Sequence, residues 1–237
     1  MTLREPQGHP EHRRGMNLLI VGYGRMGRLV EELAVGQGMQ IASRIDIDAG
    51  DWSAPADVAI DFSTAGALHA NFPRYVDRKL PVVIGTTGWA ELAPALRAEA
   101  ERAGLGVVAS ANFSIGVNLF ELIVADAGRL MTAHPQYGAW IHELHHATKH
   151  DAPSGTALLL RDAMAGAGYD RAIDVSSSRA GTIPGTHTIG FDGPSDTIEL
   201  THTARDRRGF AAGALLAAQW IKGRRGWYTM ADVLRAT

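Results

Sequence analysis

From Asn17 the chain runs in short apolar blocks, each followed by a stretch of helical periodicity. "LLIV", residues 18–21, is a continuous apolar run that suits a buried parallel strand. A glycine turn follows and opens a helix in which Leu29, Val30, Leu33 and Ala34 recur at helical spacing. Gly36 and Gly38 end that helix, and "MQIASRID" reads as a second strand. The pattern then repeats. "DVAIDFS" is a strand, Ala65–Lys79 a helix, "PVVIGTT" a strand, Ala90–Ala103 a helix and "GVVASAN" a strand. Such alternation predicts an α/β fold, a Rossmann-type doubly wound parallel sheet.

After Asn112 the character changes. A helix is expected over Val117–Leu130, and "YGAWIHELHH" suits strand alternation. Another helix opens near Ser154. Thr, His and Ile then alternate on either side of the turn cluster "DGPSD", which predicts a β-hairpin in a second, more open sheet. "GFAAGALLAAQWIKG" reads as an amphipathic helix and "GWYTMADVL" as a short element returning to the first domain. The expected organisation is a disordered extension over 1–15, a dinucleotide-binding domain from 16–112 plus 208–237, and an α+β substrate-binding and oligomerisation domain over 113–207. The extension is polar and lacks the apolar core of a signal peptide, and Met16 is an alternative start.

Composition narrows the classes. A net charge of −2 gives no basic surplus for nucleic acid. No apolar run approaches the roughly 20 residues that span a bilayer. The absence of cysteine excludes disulfides, thiolate metal sites and a cysteine nucleophile. A cytoplasmic protein with no membrane or nucleic-acid partner is the expectation.

Gly22-Tyr23-Gly24-Arg25-Met26-Gly27 fits G-x-G-x-x-G in the required context, strand before and helix after. The first glycine permits the tight turn, the second lets backbone approach a pyrophosphate, and the third allows close helix–strand packing. Asp46, 19 positions past Gly27, ends the second strand where a carboxylate grips ribose hydroxyls. Ile47 after it is not basic, which leans towards NAD, while Arg25 and Arg44 offer charge for a 2′-phosphate. Gly85, Thr86 and Thr87 end one further strand and Ser110 to Ser114 another, at the sheet edge where open α/β folds bind ligands.

The segment "IHELHHATKHDAPSGTA" spells H-E-x-x-H from His142 to His146. A zinc hydrolase needs that string on a helix. Here Pro153 and Gly155 break any continuation, no third ligand follows in that arrangement, and strand alternation fits at least as well. The non-metal chemistry is coherent. Histidine is the usual acid or base near neutral pH, and Lys149 offers charge or a proton. Ser154 is a candidate N-cap, and Gly155 and Thr156 at a helix N-terminus suit a carboxylate.

"HHATKHDAPSGTA" resembles the signature of the dihydrodipicolinate reductase family, with supporting matches in order: "VGYGRMGR", "VVIGTTGW", "ASANFSIGVNL", "SSRAGTIPGTHTIGF", "ELTHTARDRRGFAAGAL" and "GWYTMADVL". The resemblance covers Met16 to the end. It implies reduction of 4-hydroxy-tetrahydrodipicolinate by NADH or NADPH in diaminopimelate and lysine biosynthesis, and a homotetramer joined through the open sheet. It assigns His145 as proton donor and acceptor, and Lys149 as proton donor. His146, Gly155 and Thr156 become contacts to a small cyclic dicarboxylate. Gly22, Tyr23, Gly24, Arg25, Met26, Gly27, Asp46, Gly85, Thr86, Thr87, Ser110, Ala111, Asn112 and Phe113 become cofactor contacts, and no metal is expected. With cofactor and substrate on different domains, closure about the Asn112–Ser114 junction is expected. Two rival classes are another Rossmann dehydrogenase of amino-acid metabolism and a non-catalytic dinucleotide-binding regulator. The DAPSGT string disfavours the first, and the second has no need of His145 or Lys149.

Overall fold

The computed structural model describes residues 15–47 and 49–236, so the expected extension lies, but for Gly15, outside the described residues. The chain forms two compact units. One runs to Phe113 and resumes at Arg208; the other is Ser114–Arg207.

The first unit realises the strand–helix alternation. Its elements are β1 (Asn17–Val21), α1 (Arg25–Gly36), β2 (Gln40–Ile45), β3 (Val58–Asp61), α2 (Ala65–Arg78), β4 (Val82–Ile84), α3 (Ala93–Ala103) and β5 (Gly106–Ala109). A 3₁₀ turn, Ala90–Leu92, precedes α3, so the helix expected from Ala90 opens in two steps. The returning segment supplies α6 (Arg208–Ile221), β10 (Gly226–Tyr228) and α7 (Met230–Arg235). The sheet order is β10-β5-β4-β3-β1-β2, every pair parallel. Strands β1, β3 and β4 are buried along almost their whole length, as the apolar runs require of a sheet covered on both faces. The order reverses between β1 and β3, which places a crevice at their carboxyl ends. The expected amphipathic character of α6 gives way to burial over most of its surface, including Ala211, Gly213, Ala214, Leu215, Ala217, Ala218 and Ile221; its small residues let it press closely onto the sheet.

The second unit holds α4 (Ile115–Met131), β6 (Gly138–His145), α5 (Gly155–Gly166), β7 (Ile173–Arg179), β8 (Thr186–Asp192) and β9 (Thr197–Thr203). Helix α4 starts two residues before the expected Val117 because Ser114 caps it, its hydroxyl accepting from the Val117 N–H. The sheet order is β7-β6-β8-β9. The hairpin around "DGPSD" is β8–β9, antiparallel, while β7 joins parallel to β6 after the α5 crossover. Ala139, Ile141, Ile189 and Phe191 line one face and pack with Phe120 and Val124 of α4 and Leu160 and Met164 of α5. No helix among the described residues is long and apolar enough to cross a membrane.

Candidate active site

In the first unit the three glycines of the loop have different neighbours. Gly22 has φ +83°, and a Cβ there would lie 2.6 Å from the Phe62 and Ser63 backbone. At Gly27 it would lie 2.4 Å from the Gly22 carbonyl oxygen. Gly24, the N-cap of α1, faces open space, with nothing within 4 Å of such an atom. The turn and the helix packing therefore require Gly22 and Gly27, whereas Gly24 leaves an empty approach to a helix N-terminus that has no side-chain cap and no acidic residue in its first turn. That is the place and polarity an anionic pyrophosphate needs.

Phe62, at the end of β3, organises the neighbouring loops. A Cβ on Gly85 would meet its ring at 2.1 Å, and the Phe113 ring packs edge-on against it at 6.3 Å. Phe113 itself is buried. Thr86 is also buried, and its hydroxyl donates to Asp61 Oδ1 at 2.9 Å. Fully buried Asp61 also accepts from Ser63 N–H (2.8 Å), the Ser63 hydroxyl (2.6 Å) and the Tyr75 hydroxyl (2.7 Å). It ties the loops after β3 and β4 together. Sequence reasoning passed over both Asp61 and Phe62. Ser110 closes its own turn onto the Asn112 carbonyl at 2.7 Å, while Thr87 and Ala111 are exposed.

Asp46 is exposed beyond β2 and accepts from the Ile47 N–H at 3.0 Å; Ile47 is 94% exposed. Arg44 is committed elsewhere. Its Nε donates to Glu31 Oε2 at 2.8 Å, and its Nη2 also pairs with Glu31, as does the Tyr23 hydroxyl. The Arg28 and Arg44 guanidinium groups each sit 5.8 Å from the Tyr23 ring centroid. Arg25 and Gly24 are exposed and Met26 is half-buried.

In the second unit the strand decides the fate of the histidine string. Strand β6 alternates, so Glu143 and His145 share the buried face with Ala139 and Ile141. His142 points the other way, its Nδ1 2.8 Å from the Ser176 hydroxyl. The helical zinc motif does not form. Register sets Glu143 opposite His187 of β8 and Ser177 of β7, and His145 opposite Arg179. Glu143 Oε1 accepts from the Ser154 N–H (2.9 Å), the Ser177 hydroxyl (2.8 Å) and Arg179 Nη2 (2.6 Å). Burial alone would push this carboxyl up, but hydrogen bonds from Ser154, Arg179 and Ser177 outweigh it and hold it at about 2. Burial lowers His145, with Glu143 pulling the other way, and lowers His187 to about 4, with His145 contributing. Both imidazoles are thus kept mainly neutral near pH 7.

Beyond β6 the chain turns, with Lys149 N–H on the His146 carbonyl at 3.1 Å and His146 Nδ1 2.9 Å from the Thr148 hydroxyl. Lys149 Nζ grips both Asp151 oxygens, at 2.7 and 2.8 Å. Lys149 first, and then backbone groups including Gly155, hold the Asp151 carboxyl below its usual range. Ser154 caps α5, accepting from the Ala157 N–H at 3.2 Å. Gly155 faces open space, and Thr156 beside it is half-buried. Within this unit His145 ends β6, His146 and Lys149 lie on the turn after it, and Gly155 and Thr156 open α5. His187 and Arg179 were missed by sequence reasoning. A buried histidine in the alternating run "THTIGF", on the face of Ile189 and Phe191, was the available signal for His187.

Comparisons with known proteins follow the same division. A family model described as "Dihydrodipicolinate reductase, N-terminus" matches residues 37–113, and one described as "Dihydrodipicolinate reductase, C-terminus" matches residues 116–234. A 4-hydroxy-tetrahydrodipicolinate reductase from Christiangramia forsetii is 36% identical over 233 residues, covering 92% of this chain and 98% of that protein. One from Archaeoglobus fulgidus is 36% identical over 252 residues, covering 89% and 96%. Among solved structures, a dipicolinate-bound dihydrodipicolinate reductase from Paenisporosarcina sp. TG-14 is similar in fold, with a TM-score of 0.76 at 20% identity, covering 91% of this chain and 98% of that one.

Proposed function

The chain belongs to the dihydrodipicolinate reductase family, and from that premise we propose that it reduces 4-hydroxy-tetrahydrodipicolinate to tetrahydrodipicolinate with NADH or NADPH, a step of diaminopimelate and lysine biosynthesis. The single observation that carries the substrate class is the grip of Lys149 on a carboxylate in the loop that leads into α5. That carboxylate is the chain's own Asp151, and a substrate carboxylate takes over Lys149 from it. Gly155, Thr156 and His146 complete the contacts to the dicarboxylate.

NADH or NADPH, when bound, supplies the hydride that the conjugated, dehydrated substrate ring accepts. With Gly22 shaping the turn and Gly27 the helix packing, backbone at Gly24 would hold the pyrophosphate against the start of α1, and Asp46 would take the ribose hydroxyls. Residues Tyr23, Arg25 and Met26, with 85–87 and 110–113, border the same nucleotide. His145 then delivers a proton to the enamine carbon left after hydride transfer. Burial makes its imidazolium a stronger acid than free histidine, and the bound dicarboxylate favours loading it with a proton from solvent. Lys149 offsets charge moving towards the ring nitrogen and carboxylate. Arg44 is paired with Glu31 and Ile47 adds no charge, which supports NADH, while exposed Arg25 still offers charge to a 2′-phosphate.

The domain roles, a cytoplasmic location and a homotetramer built on the open sheet, whose strand β9 lies at an edge, form part of the same proposal. Light scattering on the purified chain tests the tetramer. The decisive assay mixes the protein with NADH or NADPH and the freshly formed condensation product of pyruvate and aspartate semialdehyde. Oxidation of the nucleotide is expected; nucleotide binding without oxidation would leave a regulator instead.

A further inference from the structure

Three donor atoms converge in the Ser114–Arg207 unit. Glu143 Oε2 lies 3.4 Å from His145 Nε2 and 3.5 Å from His187 Nε2, and the two imidazole nitrogens are 3.3 Å apart. These separations are long for hydrogen bonds, whose usual N–H···O distance is about 2.9–3.0 Å. They suit coordination better. A tetrahedral ion bonded at about 2.0–2.1 Å to imidazole nitrogen and carboxylate oxygen holds its donors about 3.3–3.4 Å apart. The triangle is close to equilateral at that edge length.

The surroundings favour an ion over a void. Glu143 is fully buried, and Oε2 has no hydrogen bond, while Oε1 takes all three donors, from Ser154, Ser177 and Arg179. One oxygen is therefore anchored and the other aimed into the triangle, as the outer partners of a ligating carboxylate arrange it. Two imidazoles and a carboxylate form a donor set for zinc-class divalent ions. Ser154 Oγ, 3.3 Å from His187 Nε2, is engaged in capping α5, so a fourth position falls to water. The string H-E-x-x-H contributes only Glu143 and His145; the third ligand comes from β8.

We propose that Glu143, His145 and His187 bind one divalent ion of the zinc class, and that this ion reversibly inhibits the reductase by occupying the His145 nitrogen needed for proton transfer. The inhibitory half rests on His145 being the acid of the proposed reaction; the binding half does not. Arg179 on the far oxygen of Glu143 and Lys149 on the adjoining turn repel a cation, so the site is a micromolar one and not a structural zinc.

The test uses full-length protein stripped with chelator, dialysed, and titrated separately with ZnCl₂ and CoCl₂. One equivalent of zinc is expected to bind, cobalt to give the visible absorption of a tetrahedral site, and zinc to inhibit turnover with the binding midpoint. His187→Asn and Glu143→Gln should each weaken zinc at least tenfold and abolish the cobalt spectrum. His134→Asn, which removes only a surface imidazole, should change neither. Two variants are used because either alone could lose its fold, which thermal melting reports. Absence of stoichiometric binding at micromolar zinc, or affinity unchanged in both folded variants, overturns the site. Zinc bound through these residues with turnover unaffected overturns the inhibition. A metal-free protein with no turnover at all overturns the reductase reading, and the binding arm still decides the site.

Discussion

Two glycines three residues apart should respond to the same substitution in opposite ways. In Gly27→Ala the new methyl lies 2.4 Å from the Gly22 carbonyl oxygen and 3.2 Å from Ile20 Cγ2. The first partner is backbone in a tight turn and cannot swing aside, so overpacking of up to about 3 kcal/mol is expected. Alanine's better helix propensity returns about 1 kcal/mol. A net loss of about 2 kcal/mol lowers Tm by about 4–8 °C for a chain of this size. In Gly24→Ala the methyl meets nothing within 4 Å, and φ of −82° suits any residue. Its stability cost is that of a poorer N-cap, about 0.5–1 kcal/mol. What it fills is the approach to the helix N-terminus, so NADH affinity should fall at least tenfold, about 1.4 kcal/mol. Thermal melting without nucleotide and fluorescence titration with NADH read the two effects separately. If Gly24→Ala melts as low as Gly27→Ala, or binds NADH as wild type does, the division of labour between these glycines is wrong.

Other outcomes follow from the same geometry. His145→Ala and Lys149→Ala should each lower kcat about 10²–10⁴-fold while leaving NADH affinity within twofold, checked by steady-state kinetics and nucleotide titration; near-normal turnover in either would sink the assignment. Ile47→Arg places a guanidinium beside Asp46, where Arg44 is already taken by Glu31, and should lower KM for NADPH relative to NADH. In chelator-containing buffer, Glu143→Gln should cost about 2–4 kcal/mol at pH 7, because it weakens bonds to a buried carboxylate and leaves Arg179 without its counter-charge. The native carboxyl, held down at about 2, lends stability that is full above the ordinary carboxylate pKa and is lost as pH falls towards about 2. Denaturation curves should therefore show the wild-type and variant stabilities converging below about pH 4.

What was legible in the chain was local. "LLIV", the glycine loop and the Ser154 cap are written in consecutive residues, and each appears where the pattern puts it. Strand β7 was not legible. "IDVSSSR" carries three serines and weak alternation, and only pairing with β6 after the α5 crossover makes it a strand. The histidine string was legible as chemistry, and Pro153 with Gly155 sufficed to deny it a helix. Its partners were not. That Glu143 meets Arg179, Ser177 and His187 depends on the registers of three strands, which no spacing within β6 encodes. Phe62 and Asp61 read as the end of an ordinary strand, and their gathering of the Gly85, Thr86 and Phe113 loops appears only once the parallel order is set.

The pairing of Glu143 with His187 across β6 and β8 has a consequence for how this region can change in length. Side chains of a strand alternate between faces, so a single inserted or deleted residue within β8 would carry His187 away from Glu143 and bring Thr186 or Thr188 to the buried face. Two such changes together restore the parity while moving the histidine along the sheet. The turn between β8 and β9, by contrast, can lengthen without touching that parity. In a library of length variants, folded protein should therefore survive insertions between Gly193 and Asp196 far more often than insertions within β8.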